Sequence, residues 1–175
     1  MKWRNHRLVT AATIFSLTGH LLPTAIAMYG SVFPDAVEGD DYSSLEWQQN
    51  HRKLSHLMIV YIAALAGLYF YFGRLFYFLN QNELTIMVSK SLESKDPKPM
   101  ILVAGYCATW FIVGCIMHLL EDMFCGGVPI FETDKRFGYR LFKVNTPREN
   151  VIAFVISAAL IAWRYYTIEP FCLGL

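Results

Sequence analysis

The chain has 175 residues, enough for one domain, and at 55% hydrophobic and 15% aromatic it is richer in apolar side chains than an ordinary soluble domain. A formal net charge of +1 supplies no broad basic face, so nucleic-acid binding is not expected. Cys107, Cys115, Cys125 and Cys172 show no C-x-x-C spacing and suggest neither a disulfide framework nor a thiolate zinc site.

The apolar residues gather in four blocks, roughly 8–34, 54–79, 99–120 and 150–168, and the segments between hold nearly all the charge. Within three of these blocks run stretches with almost no ionisable side chains, near the roughly 20 residues a helix needs to cross hydrocarbon. This pattern predicts an integral membrane protein. The first block differs, because Gly19-His20 and Pro23 interrupt it. Proline removes a helical hydrogen bond and glycine weakens the same turn, which leaves two halves each too short to cross. A re-entrant helical hairpin is therefore expected there. The same interruption argues against a secretory signal, although "MKWRNHR", an apolar stretch and "AIA" follow each other in signal-like order.

Lys and Arg counts sharpen the topology, since cytoplasmic loops carry the excess. A single span through 8–34 divides the basic residues eight against seven; a hairpin divides them ten against five. The expected fold is thus all-α, one domain over 1–175, with an N-terminal re-entrant hairpin, three transmembrane helices and the N-terminus on the cytoplasmic face of the membrane. In either topology 35–56 and 118–149 share one side.

On that side lie the chemistry-bearing motifs. "HRKLSH", 51–56, places His51 and His56 at the mouth of the second block, with His51 expected in the loop before a helix that begins near Arg52. "HLLED", 118–122, sets His118 and Asp122 four residues apart, one turn along the same helix face. "FPD" leaves the Asp35 carboxylate where the first block ends, with Glu38 three residues on. The bland readings are an interfacial helix start in which Arg52 and Lys53 reach headgroups, and a helix stop with solvated acids. His20, inside the apolar block, is expected to be a buried, hydrogen-bonded structural residue.

Taken together, His6, Asp35, His51, His56, His118 and Asp122 form a nitrogen-and-oxygen set suited to zinc, manganese or iron. A metal there suits ester or phosphoester hydrolysis, with Glu38 or Glu121 as general base and Arg52 stabilising developing negative charge. The rival expectations are a haem-binding membrane protein, with His20 or His56 paired to His118 as axial ligands, and a non-catalytic membrane adaptor. Residues 133–150, basic and interleaved with Phe137, Tyr139 and Phe142, are expected to lie on lipid, with a clamp for a substrate headgroup as the alternative.

The order of these pieces, namely Asn5-His6, Phe33-Pro34-Asp35, "HRKLSH", "HLLED", "GGVPIF" and the basic aromatic stretch, resembles the YdjM-like, LexA-regulated family of inner-membrane-associated metal-dependent hydrolases. The likeness covers roughly 5–155. It implies metal-dependent hydrolysis with a divalent metal cofactor, zinc first, in the inner membrane; the interfacial position of the motifs favours an amphiphilic ester or phosphoester substrate. Two departures stand out. The family's Pro-Asp-x-Asp reads Pro34-Asp35-Ala36-Val37 here, with Glu38 as a replacement, and its central Thr is Ser55.

Overall fold

The computed structural model describes residues 1–39, 53–72 and 97–167, with single positions at 86, 89, 90 and 93. Among the described residues six α-helices carry the fold: α1 (Trp3–Thr18), α2 (Leu21–Gly30), α3 (Phe33–Ala36), α4 (Met58–Phe72), α5 (Lys98–Met123) and α6 (Pro147–Thr167). A two-stranded antiparallel ribbon, β1 (Val128–Pro129) and β2 (Arg136–Phe137), joins α5 to α6.

The first apolar block breaks where its composition predicts. Gly19 adopts a left-handed conformation (φ 72°) and its N–H donates to the Phe15 carbonyl, closing α1 in a way that favours glycine. Pro23 then falls in the first turn of α2, where a missing N–H costs little. His20 sits at the tip of this turn and is exposed, which corrects the expectation of a buried structural histidine. The glycine turn projects it outward before α2 packs back on α1.

Helix α2 lies between α1 and α5, α4 packs on the other part of α5, and α6 packs on α1. The α2–α5 crossing depends on two missing side chains. A Cβ on Gly30 would stand 2.0 Å from the Phe111 carbonyl oxygen, and one on Gly114 would stand 2.1 Å from that of Ala27. Small residues let membrane helices approach this closely, where dispersion rather than water exclusion holds them together.

Among the described residues two helices are long and apolar enough to cross a membrane: α5, with 26 residues and mean hydropathy 2.1, and α6, with 21 residues and 1.3. Only 11% of the apolar window of α6 is buried, unlike the core helix of a soluble protein. The second block begins differently from the sequence expectation. A 3₁₀ turn (Leu54–His56) precedes α4, so the helix starts at Met58 rather than near Arg52. α4 itself spans 15 apolar residues, and 73–79 lie outside the described residues.

The ribbon fixes the C-terminal end of α5. Tyr139 N–H donates to the Met123 carbonyl (2.7 Å) and Leu141 N–H to that of Phe124 (3.0 Å), satisfying groups that a helix end leaves open. Ile59 N–H at the start of α4 donates to the Ile130 carbonyl (3.1 Å). The last turn of α5 and the first turn of α4 are thereby held together.

Candidate metal centre

The end of the bundle formed by the N-terminus of α1, α3, the 3₁₀ turn and the last turns of α5 is polar inside. His6, His56, His118 and Asp122 are each fully buried. Such groups are rare in apolar surroundings unless they pair or bind a cation.

Four atoms converge. His56 Nε2 lies 3.2 Å from His118 Nε2 and 3.2 Å from Asp35 Oδ1. His118 Nε2 lies 3.5 Å from the same Asp35 oxygen, and Asp122 Oδ2 is 3.8 Å from both histidine nitrogens. All four ligand atoms fall within 4.8 Å of one another. Ligands about 2.0–2.1 Å from a tetrahedral centre stand about 3.3–3.4 Å apart, close to the 3.2–3.8 Å separations given above.

The outer nitrogens decide what the inner ones offer. His118 Nδ1 donates to the Ser31 carbonyl (2.7 Å), and His56 Nδ1 lies 3.0 Å from Glu38 Oε1. These bonds assign the proton to Nδ1 on both rings and turn both Nε2 lone pairs inward. The four facing atoms are then all acceptors, and a cation at their centre removes the mutual repulsion. A divalent ion also balances the two carboxylates. The residues present therefore fit a metal on geometry and on donor chemistry.

Electrostatics agree. Burial works against ionising Asp35, but the His118 and His56 rings outweigh it whenever a proton sits on the Nε2 atoms that face it, and hold the carboxyl well below the usual carboxylate range; a cation would take the place of that proton. For His56, burial favours the neutral ring, yet Asp35 and Glu38 raise its pKa overall. Proton and metal thus compete for the same lone pair.

His6 stands beside this group. Its ring stacks on that of His118, with centroids 4.0 Å apart. Its Nδ1 lies 2.6 Å from Glu121 Oε2, and its Nε2, which makes no hydrogen bond among the described residues, is 3.4 Å from Asp122 Oδ1. Thr10 Oγ1 donates to the other Glu121 oxygen (3.1 Å), and the Met1 amino group donates to Asp122 Oδ1 (2.6 Å).

Of the residues singled out from sequence, the structure brings Asp35, His56, His118 and Asp122 into one cluster, with His6 and Glu121 against one side and Glu38 against the other. His51 and Arg52 lie outside the described residues. Sequence reasoning passed over Glu149, which is fully buried and accepts from Lys2 N–H (2.6 Å), Asn5 Nδ2 (2.7 Å) and Asn145 N–H (2.7 Å). It ties the first turn of α1 to the first turn of α6, and the T-x-x-E order of 146–149 was its available signal. Ser31 was invisible because it contributes a backbone carbonyl. Trp3, which donates to Asp35 Oδ2 (3.0 Å), was missed as well.

The fold and the cluster define a class: a helical membrane protein with a buried histidine–aspartate group able to hold a divalent cation. The sequence matches the YdjM inner membrane protein family over residues 1–171, and the chain belongs to that family. Family and apolar helices together point to an inner membrane. No match was found among curated proteins or among solved structures.

Proposed function

We propose that this protein is a metal-dependent hydrolase that cleaves an ester or phosphoester at the membrane surface. The observation that carries the reading is the buried convergence of four acceptor atoms from Asp35, His56, His118 and Asp122. These four hold one divalent ion, zinc by preference and manganese or iron as alternatives. Such an ion supplies a Lewis acid and an acidified water near neutral pH.

The chain's own groups take the remaining roles. Glu38 and the Ser31 carbonyl orient the two histidine ligands, which answers how Glu38 serves in place of the absent second aspartate. Glu121 orients His6, whose Nε2 is placed to accept a proton from water entering the site while the Glu121 carboxylate stabilises the imidazolium that forms. This division of labour assigns both glutamates to positioning and proton acceptance to His6. His51 and Arg52 precede His56 closely enough to serve as a further ligand and as a stabiliser of negative charge. An amphiphilic substrate, a phospholipid or a lipid-linked phosphate, suits an interfacial site.

The Trp3–Asp35 bond supports a re-entrant α1–α2 pair, because it joins the start of α1 to α3, the short helix that follows α2. At about 1.5 Å per residue, α1 and α2 measure about 24 and 15 Å, short of the roughly 30 Å of hydrocarbon. The second apolar block of the sequence, 54–79, is long enough for a third span, and the ten-to-five basic bias favours the cytoplasmic face for the site. The haem alternative sits poorly with two Nε2 atoms 3.2 Å apart, since axial ligands stand two bond lengths, about 4 Å, apart.

Metal-loaded protein in detergent, assayed on a p-nitrophenyl phosphodiester and a p-nitrophenyl ester, tests the reading. Turnover should vanish with the metal in His118→Ala. In His6→Ala it should fall about 10²–10⁴-fold while the metal stays bound. Metal-replete protein that hydrolyses neither compound, nor a phospholipid, would contradict hydrolysis without touching the metal site.

A further inference from the structure

The stretch between α5 and α6 takes no part in the chemistry above, yet its surface is distinctive. Both helices are long and apolar enough to span, so 124–146 must lie at one membrane surface, and backbone bonds to the carbonyls of Met123 and Phe124 keep the ribbon close to it. Large apolar side chains there point outward: Phe131, Phe137, Tyr139 and Leu141 are 69%, 50%, 76% and 68% exposed. Between them stand Lys135, Arg136, Arg140, Lys143 and Arg148, all exposed. Residues 124–148 hold these five basic groups against Glu132 and Asp134, a net of +3. Arg4 and Arg7 on α1 extend the basic surface, Arg4 reaching Asn150 at the start of α6 (3.1 Å).

We propose that the ribbon and the loop that follows it form a binding surface for anionic bilayer lipids. Phe131, Phe137, Tyr139 and Leu141 enter the boundary between headgroups and acyl chains, and Arg140, Lys143 and Arg148 face the lipid phosphates. Charge complementarity selects anionic over zwitterionic lipid, and the two flanking spans fix the depth at which the aromatic rings meet the bilayer.

The test uses full-length protein with Tyr139→Trp, reconstituted in phosphatidylcholine vesicles with brominated phosphatidylglycerol or brominated phosphatidylcholine, and reads the quenching added over the parent protein. The introduced indole should be quenched by both lipids, and more strongly per mole by the anionic one. Adding Arg140→Gln and Lys143→Gln should lower the anionic preference about 25-fold, at about fivefold per basic residue near the surface. An indole that stays unquenched would mean the rings face water or protein. Equal quenching by the two lipids would mean the basic residues select nothing. Either outcome overturns the proposal, and the Tyr139→Trp comparison decides alone if the neutralised protein does not fold.

Discussion

The polar end of the bundle and the outer flank of α6 invert each other. Inside the polar end, His6, His56, His118 and Asp122 are fully buried; on the flank, Val151, Phe154, Val155 and Tyr166 are 61%, 65%, 57% and 77% exposed. In water this distribution would be doubly unfavourable, because it buries charge and exposes hydrocarbon. In a bilayer the flank costs nothing, and the polar interior becomes the expensive part, to be offset by internal pairing or a bound cation. The difference teaches that close helix crossings and apolar surface suited to lipid account for the bundle, while the polar interior of one end needs pairing or a bound cation to be tolerated.

The largest way to break this contrast is to move a charge onto the flank. Val155→Lys, near the middle of α6, should cost about 2.5–3.5 kcal/mol of insertion free energy, read as a lower membrane-integrated fraction. An unchanged fraction would mean that this face is covered by protein rather than lipid. The second test sharpens the polar side. Glu38→Gln should weaken metal binding about 10–100-fold, because His56 loses the carboxylate that fixes its orientation and basicity; a chelator-competition titration measures it.

How far the sequence was legible follows the same division. The apolar blocks, the break at Gly19 and the motif residues Asp35, His56, His118 and Asp122 could all be found, because each has a pattern: length, a turn residue, or spacing on one helix face. What stayed hidden was relational. That Glu38 stands against His56 and Glu121 against His6 has no signal in the spacing of those residues along the chain. Gly30 and Gly114 carry no motif, since they act by what they lack against a neighbouring helix. The start of α4 was misplaced because a 3₁₀ turn has no periodicity to read, and His20 was misjudged because apolar neighbours in sequence do not reveal the tip of a turn.

A third prediction concerns pH. His56 is pushed above the ordinary imidazole value, and metal requires its Nε2 unprotonated. Affinity should therefore be constant above that raised pKa and fall about tenfold for each pH unit below it, the loss starting at higher pH than an ordinary histidine near 6.5 would give. Titrations between about pH 5 and 8 locate the break; a break at or below the ordinary value would remove Asp35 and Glu38 as its cause. The smallest effect is expected at Ser157 on α6, whose buried hydroxyl makes no hydrogen bond among the described residues. Ser157→Ala should shift stability by no more than about 0.5 kcal/mol in thermal melts, and a larger loss would show a partner for that hydroxyl.

The central claim is that the buried histidine–aspartate cluster holds a metal ion, and metal content per chain tests it most directly. Detergent-purified protein, supplied with zinc, manganese and iron during expression, should contain about one equivalent of divalent metal by elemental analysis, as a single four-ligand site requires. The Asp35→Ala, His118→Ala double variant, still inserted in the membrane, should contain none. Wild-type protein without metal, or a double variant that keeps it, would contradict the account.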